Sequence, residues 1–208
     1  MTADADRAFM ARALALAGAW QGRTAPNPSV ACVLVRDGAV IAEAATGDGG
    51  RPHAEETALA QLGGQALGAV AYVTLEPCGA RSSGAAGCAE RLIAAGVSRV
   101  VCAIADPHPH GAGGFGKLEE AGVPVLVGVG EAEARGLYEA FFHRVATGSA
   151  LGHVSDDPTG FEAELILEEG ETLAASLQRL GAAGFARVFA RPGSAAALAL
   201  KQAQPHRF

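Results

Sequence analysis

From residue 30 onward, short apolar runs alternate with helix-like segments, and that alternation constrains the fold more than any other feature. Residues 30–35 and 39–42 are apolar and partly β-branched, with Asp37 and Gly38 between them. An Asp-Gly pair between two such runs predicts a β-hairpin, because both turn residues take positive φ. Beyond it, residues 53–62 predict a helix, 70–75 a buried strand and 89–95 a helix closed by Gly96. Residues 99–105 predict a strand, 118–121 the end of a short helix before Gly122, 123–129 a strand and 131–147 a helix. Pro52 suits the first turn of its helix, where a missing N–H costs nothing. Ahead of the hairpin, residues 7–19 predict an amphipathic helix and residues 22–28 a Gly/Pro loop. A hairpin followed by α-β-α-β-α-β-α implies a layered α/β sheet with crossover helices on its faces. Ligands bind such sheets beyond the carboxyl ends of the strands. The loops before His53, around Cys78 and after Asp106 are expected to converge there.

The 208 residues allow one ordinary domain and a small appendage. Residues 146–161 predict a linker, and 163–167, 172–180, 186–190 and 194–202 a further β-α-β-α stretch. The expected division is 1–148 and 149–208. The formal charge is −6 and no Lys/Arg block occurs, which argues against a nucleic-acid partner. No apolar run reaches the ~18–20 residues of a membrane helix. The acidic N-terminus does not read as a secretory signal, so a cytoplasmic location is expected. Cys32, Cys78, Cys88 and Cys102 do not suggest a disulfide framework; metal binding or plain burial fits them better.

The chemistry sits in Pro52-His53-Ala54-Glu55, in Glu76-Pro77-Cys78 and in Cys88. A His, a Glu two residues on, a Pro-Cys and a second Cys form the pattern of zinc deaminases, in which the Glu is not a ligand. His53, Cys78 and Cys88 are the metal ligands in this reading. Three protein ligands leave a fourth position for water, whose pKa zinc lowers towards ~7. A helix start favours thiolate at Cys88. Glu55 is the general base and acid, passing a proton from water to the ring nitrogen and the leaving ammonia. Each residue alone has a plainer reading, as a helix-start His or an inert buried Cys, and Cys32 and Cys102 receive it. The four together, in this order, do not. Glu76 reads equally as a structural hydrogen-bonding group and as a participant. Asn27 suits orientation of a base or ribose through its amide, or simply a turn between prolines. Asp106 and His108 lie in a loop that faces the pocket, or in an exposed turn. Arg51 and Arg81 are the cationic candidates for a phosphate, and His110 and His143 read as surface or structural.

Across residues 7–148 the sequence resembles the deaminase domain of the bifunctional riboflavin-biosynthesis deaminase/reductase. The resemblance is carried by residues 24–33, 50–55, 72–78, 92–97 and 106–109. The nine residues between Cys78 and Cys88 separate this family from the cytidine, guanine and tRNA adenosine deaminases, which keep Pro-Cys-x-x-Cys. The resemblance implies a three-layer, cytidine-deaminase-like fold: a mixed central sheet with an initial β-hairpin and helices on both faces. It also implies a Zn²⁺ cofactor and a small pyrimidine nucleotide partner. The implied reaction is hydrolytic loss of the 2-amino group of 2,5-diamino-6-ribosylamino-4(3H)-pyrimidinone 5′-phosphate. A homo-oligomer is expected from the family. Substrate contacts carried over are Asn27, Arg81, Asp106 and His108. Ala80 stands where the family has a substrate-contacting His, with Arg81 supplying a positive charge beside it. Ala31 replaces a Gly, and His108 an Asn. These departures keep two alternatives open: a deaminase of another nucleobase or nucleotide, and an idle structural homologue. Residues 165–173 resemble the reductase's strand–Glu-Gly-Gly–helix turn with one Gly replaced, and no reductase activity is expected.

Overall fold

Asp37 and Gly38 take φ of 52° and 77°, and the turn they close joins strand β1 (Ala31–Arg36) to β2 (Ala39–Ala45). The computed structural model describes residues 2–81, 84–109 and 111–203. Three further strands, β3 (Val70–Val73), β4 (Arg99–Cys102) and β5 (Val125–Val127), complete a sheet of order β2-β1-β3-β4-β5. β1 runs antiparallel to β2 and β3, and β3, β4 and β5 run parallel, so the sheet is mixed.

Alternation along β1 builds both cores. Cys32 and Leu34 face α2 (Ala54–Ala60), α3 (Cys88–Ala94) and α4 (Gly114–Glu120). Ala31, Val33 and Val35 face α1 (Ala3–Ala19) and α5 (Glu131–Thr147). Successive strand side chains point to opposite faces, so two layers of helix sandwich the sheet. The alanines of α1 (Ala13, Ala17) and α2 (Ala54, Ala58) are fully buried, and their small side chains let helix and sheet approach closely. A polar network pins α1 across the sheet. Buried Asp6 accepts from the Tyr72 hydroxyl at 2.7 Å and from the Arg99 guanidinium at 2.9 and 3.2 Å.

Beyond Gly148 lies a second, parallel sheet of order β6-β8-β7, made from β6 (Leu151–Val154), β7 (Ala163–Glu164) and β8 (Arg187–Ala190). It carries α6 (Leu173–Ala182) and α7 (Ala195–Ala203). The linker expected at 146–161 therefore contains a strand. Gly152 and His153 hide the apolar pattern there, while Leu151 is buried in the core of the first sheet and the strand pairs with β8. The short helix whose end is expected at 118–121 begins as early as Gly114, so the loop after Asp106 is shorter than its Gly/His/Pro composition implies. Pro52 does not occupy the first helical turn: His53 is the N-cap of α2, with extended φ −69° and ψ 156°. Among the described residues, no helix is long and apolar enough to cross a membrane.

Candidate active site

Three donors converge where β3, α2 and α3 end or begin. His53 caps α2, Cys78 lies just beyond β3, and Cys88 is the first residue of α3. His53 Nδ1 lies 3.2 Å from Cys88 Sγ and 3.7 Å from Cys78 Sγ, and the Cys88 amide donates to Cys78 Sγ at 3.3 Å. The three ligand atoms lie within 4.8 Å of one another, and both cysteines are buried. Hydrogen bonding from Cys88, then from His53, holds the Cys78 thiol well below its ordinary range. The same contact with Cys78, reinforced by burial, pushes Cys88 up. Two sulfurs beside an imidazole form a soft, nitrogen- and sulfur-donating set that suits a tetrahedral metal ion.

Nine residues separate the cysteines, yet the chain returns to its starting point. A Cβ on Gly87 would lie 2.7 Å from the Cys78 carbonyl and 2.9 Å from that of Gly79. The Ala89 amide donates to the Cys78 carbonyl at 3.2 Å. Residues 80–86 are thus an excursion from a closed base, of which Ser82 and Ser83 lie outside the described residues.

Glu55, one residue into α2, is only 3 % exposed, and burial raises its pKa. With His53 and Cys78 it lines a cavity of about 260 Å³. Asn27, Arg81, Asp106 and His108 line the same cavity, while Cys88 closes the donor set behind it. One Asn27 amide proton is engaged by the Gly50 carbonyl at 2.9 Å. Asp106 is pushed up to about 6 by burial, and its carboxylate accepts from the His108 amide at 2.8 Å. Arg81 is folded inward: it pairs with Glu56 at 2.9 Å and lies 3.7 Å from Cys88 Sγ, with 7 % of its side chain exposed. Glu76 is structural here. It accepts from the amides of Gly114 at 3.0 Å, Phe115 at 3.2 Å and Asp106 at 3.3 Å, and so caps α4.

A family model described as the cytidine and deoxycytidylate deaminase zinc-binding region matches residues 3–104. The diaminohydroxyphosphoribosylamino-pyrimidine deaminase of Buchnera aphidicola is 38% identical over 141 residues, covering 67% of this chain and 95% of that protein. The chain belongs to the riboflavin-pathway deaminase family. The riboflavin biosynthesis protein RibD of Escherichia coli is 46% identical over 144 residues, which cover 69% of this chain. The chain spans 39% of the length of that relative. A crystal structure of the Thermotoga maritima deaminase/reductase has the same fold, at TM-score 0.84 and 22% identity over 97% of this chain and 84% of the other. The three-layer, cytidine-deaminase-like architecture expected of the family is therefore the one observed.

Sequence reasoning missed two members of the cavity wall. Phe141 and Arg144 reach it from α5. Their i, i+3 spacing places both on one helix face. That spacing was the available signal, but it does not say which face turns to the site. The Arg144 guanidinium donates to the Pro26 carbonyl at 2.6 Å. Arg51 also lines the cavity and is exposed. His143, read as surface or structural, is half-buried, and His110 lies outside the described residues.

Proposed function

We propose that the chain deaminates 2,5-diamino-6-ribosylamino-4(3H)-pyrimidinone 5′-phosphate hydrolytically, with zinc held by His53, Cys78 and Cys88. The observation that carries this reading is a buried carboxylate, Glu55, on the wall of a cavity that also reaches His53 and Cys78, with Cys88 completing the donor set behind them. When bound, zinc acts as a Lewis acid and brings the pKa of a water towards ~7.

Glu55 does the proton work. Its raised pKa lets it accept a proton from water and surrender it within one turnover. The water oxygen bonds to C2 as Glu55 carries the first water proton to the ring nitrogen; Glu55 then carries the remaining C2 hydroxyl proton to the amine, the C2–N bond breaks, the C2 carbonyl forms and ammonia leaves. Asn27, Asp106 and His108 orient the pyrimidine and its ribose. Pro26, Pro28 and Leu75 supply apolar wall that keeps bulk water away. Arg51, Arg81 and Arg144 are the cations of the cavity wall that a phosphate would meet; the Glu56 pair offsets much of the Arg81 charge.

A screen of ammonia release tests the reading. The riboflavin intermediate should turn over, and cytosine, guanine and their nucleosides should not. One observation favours a second reading, deamination of another nucleotide. Ala80 leaves the wall without a hydrogen-bonding side chain beside an Arg81 already engaged. Turnover of a different compound, with none of the riboflavin intermediate, would establish it. We assign this chain the deaminase step alone, and NADPH oxidation with the deaminated product tests that assignment.

A further inference from the structure

We infer that the second sheet positions the substrate-facing loop 22–28, with the turn at Gly184 acting as its back-stop. The inference rests on the reading above, in which Asn27 meets substrate. Pro26 and Asn27 line the cavity; one hydrogen bond braces the loop internally and two hold it on that side. Thr24 donates to the Asn27 carbonyl at 2.9 Å, Asn27 to Gly50 at 2.9 Å and Arg144 to the Pro26 carbonyl at 2.6 Å.

The other side of the loop rests on the tail. Gly184, in the turn between α6 and β8, has φ +97°, and a Cβ there would lie 2.6 Å from Pro26 Cβ. From the loop, a Cβ on Gly22 would lie 2.6 Å from the Phe161 carbonyl. Both contacts are closer than side chains permit, so loop and tail meet nearly backbone to backbone. The seam leaves only a cavity of about 30 Å³, with Thr24 and Pro28 on one wall and Glu162 and Arg187 on the other.

The back-stop is itself fixed. Ala186 and Leu151 are buried in the core of the first sheet, and Glu162 accepts from the amides of Ala186 and Arg187. A Cβ on Gly181 would lie 2.2 Å from the Gly148 carbonyl, so α6 sits hard against the end of α5. A side chain added at 184 therefore displaces Pro26 rather than the tail, and Asn27 follows its neighbour. Gly184 does not touch the cavity; it acts through Pro26 as a positioning residue.

The test compares Gly184→Ala with Gly193→Ala in the full chain loaded with zinc. Gly193 lies in the same tail at φ +82°, but a Cβ there meets nothing within 4 Å. Both variants carry the strain of a side chain at positive φ; only the first presses on the loop. We expect Gly184→Ala to speed amide hydrogen exchange across residues 22–29. It should also raise KM on the order of tenfold, against the roughly 100-fold that a ~1 Å misplacement can cost. kcat should change little, zinc content should stay the same, and Gly193→Ala should show neither effect. Equal exchange and equal KM in the two variants would overturn the inference. The exchange measurement needs no substrate. A wild type inactive on the riboflavin intermediate therefore sinks the functional reading and leaves this one standing or falling on exchange. If Gly184→Ala does not fold, Glu162→Ala frees the Ala186 and Arg187 amides that fix the back-stop, and unchanged exchange at 22–29 in that variant would equally overturn it.

Discussion

Replacing Glu55 by Gln tests the chemistry most directly, because it removes a proton carrier while keeping volume and shape. Glu55 is asked to move a proton twice, and a positioned acid or base contributes about 10²–10⁴-fold per step. The neighbouring carboxylates offer no substitute. Glu76 has both oxygens engaged by the amides of Gly114, Phe115 and Asp106. Asp106 is held by the His108 amide. The expected fall in kcat is therefore on the order of 10⁴-fold, or about 5.5 kcal/mol of transition-state stabilisation. Stability should move the other way or not at all. Burial disfavours the ionised form of Glu55, and a neutral amide carries no such penalty. The assay is steady-state ammonia release beside zinc content and a thermal melt. A loss of less than tenfold would refute the assignment of the base. Zinc lost in step with activity would show that the carboxylate supports the metal site instead.

Three further outcomes follow from the same geometry. A strong chelator should abolish ammonia release and zinc should restore it, and Cys88→Ser should lower zinc content as measured by metal analysis. Asp6→Asn should cost roughly 2 kcal/mol at pH 7, less than the ~3–5 kcal/mol of a fully buried pair because 26% of the Arg99 side chain is exposed. Burial opposes ionisation of Asp6, but Arg99 and Tyr72 outweigh it and hold its pKa below the ordinary value. The contribution is thus fully present above the unfolded carboxylate value of about 3.9 and fades as pH falls through the depressed native value. Melts of wild type and variant should converge in acid; a constant gap would refute the ion pair. Glu76→Ala should strip the acceptor from three amides and cost about 3 kcal/mol, roughly 6–12 °C in Tm, with zinc retained.

The hairpin and the α/β order were legible because their signals are local: an Asp-Gly turn, β-branched runs and glycines after helices. The donor set was legible because residue type and order carry it, whatever the distance along the chain. What escaped depends on contacts between distant segments. The start of α4 reads as loop, with Gly113, Gly114 and Gly116 in it, and is held as helix by Glu76 from 38 residues upstream. β6 escaped because Gly152 is there for packing: a Cβ would lie 2.7 Å from Leu200 of α7. Arg81 looked like a free cation, since nothing local says that its loop folds back onto Glu56. Arg144 looked like one more surface arginine until the packing of α5 turned it toward Pro26.

The spacing of the cysteines joins these two kinds of information. In sequence, nine residues between Cys78 and Cys88 look like a break in the metal motif. In space, Gly87 returns to the Cys78–Gly79 backbone: a Cβ on Gly87 would lie 2.7 Å from the Cys78 carbonyl and 2.9 Å from that of Gly79. The chain therefore leaves Cys78 and returns to Cys88 across a closed base, with the Cys88 amide donating to Cys78 Sγ at 3.3 Å. From this base the chain delivers Ala80 and Arg81 to the cavity wall, and Arg81 reaches back to within 3.7 Å of Cys88 Sγ. Donor set and cavity wall thus share one stretch of chain and are joined through Arg81. In the proposed reading the substitutions in this loop bear on which amine is removed through Ala80 and Arg81, while His53 and Glu55 are supplied from the start of α2, outside the loop.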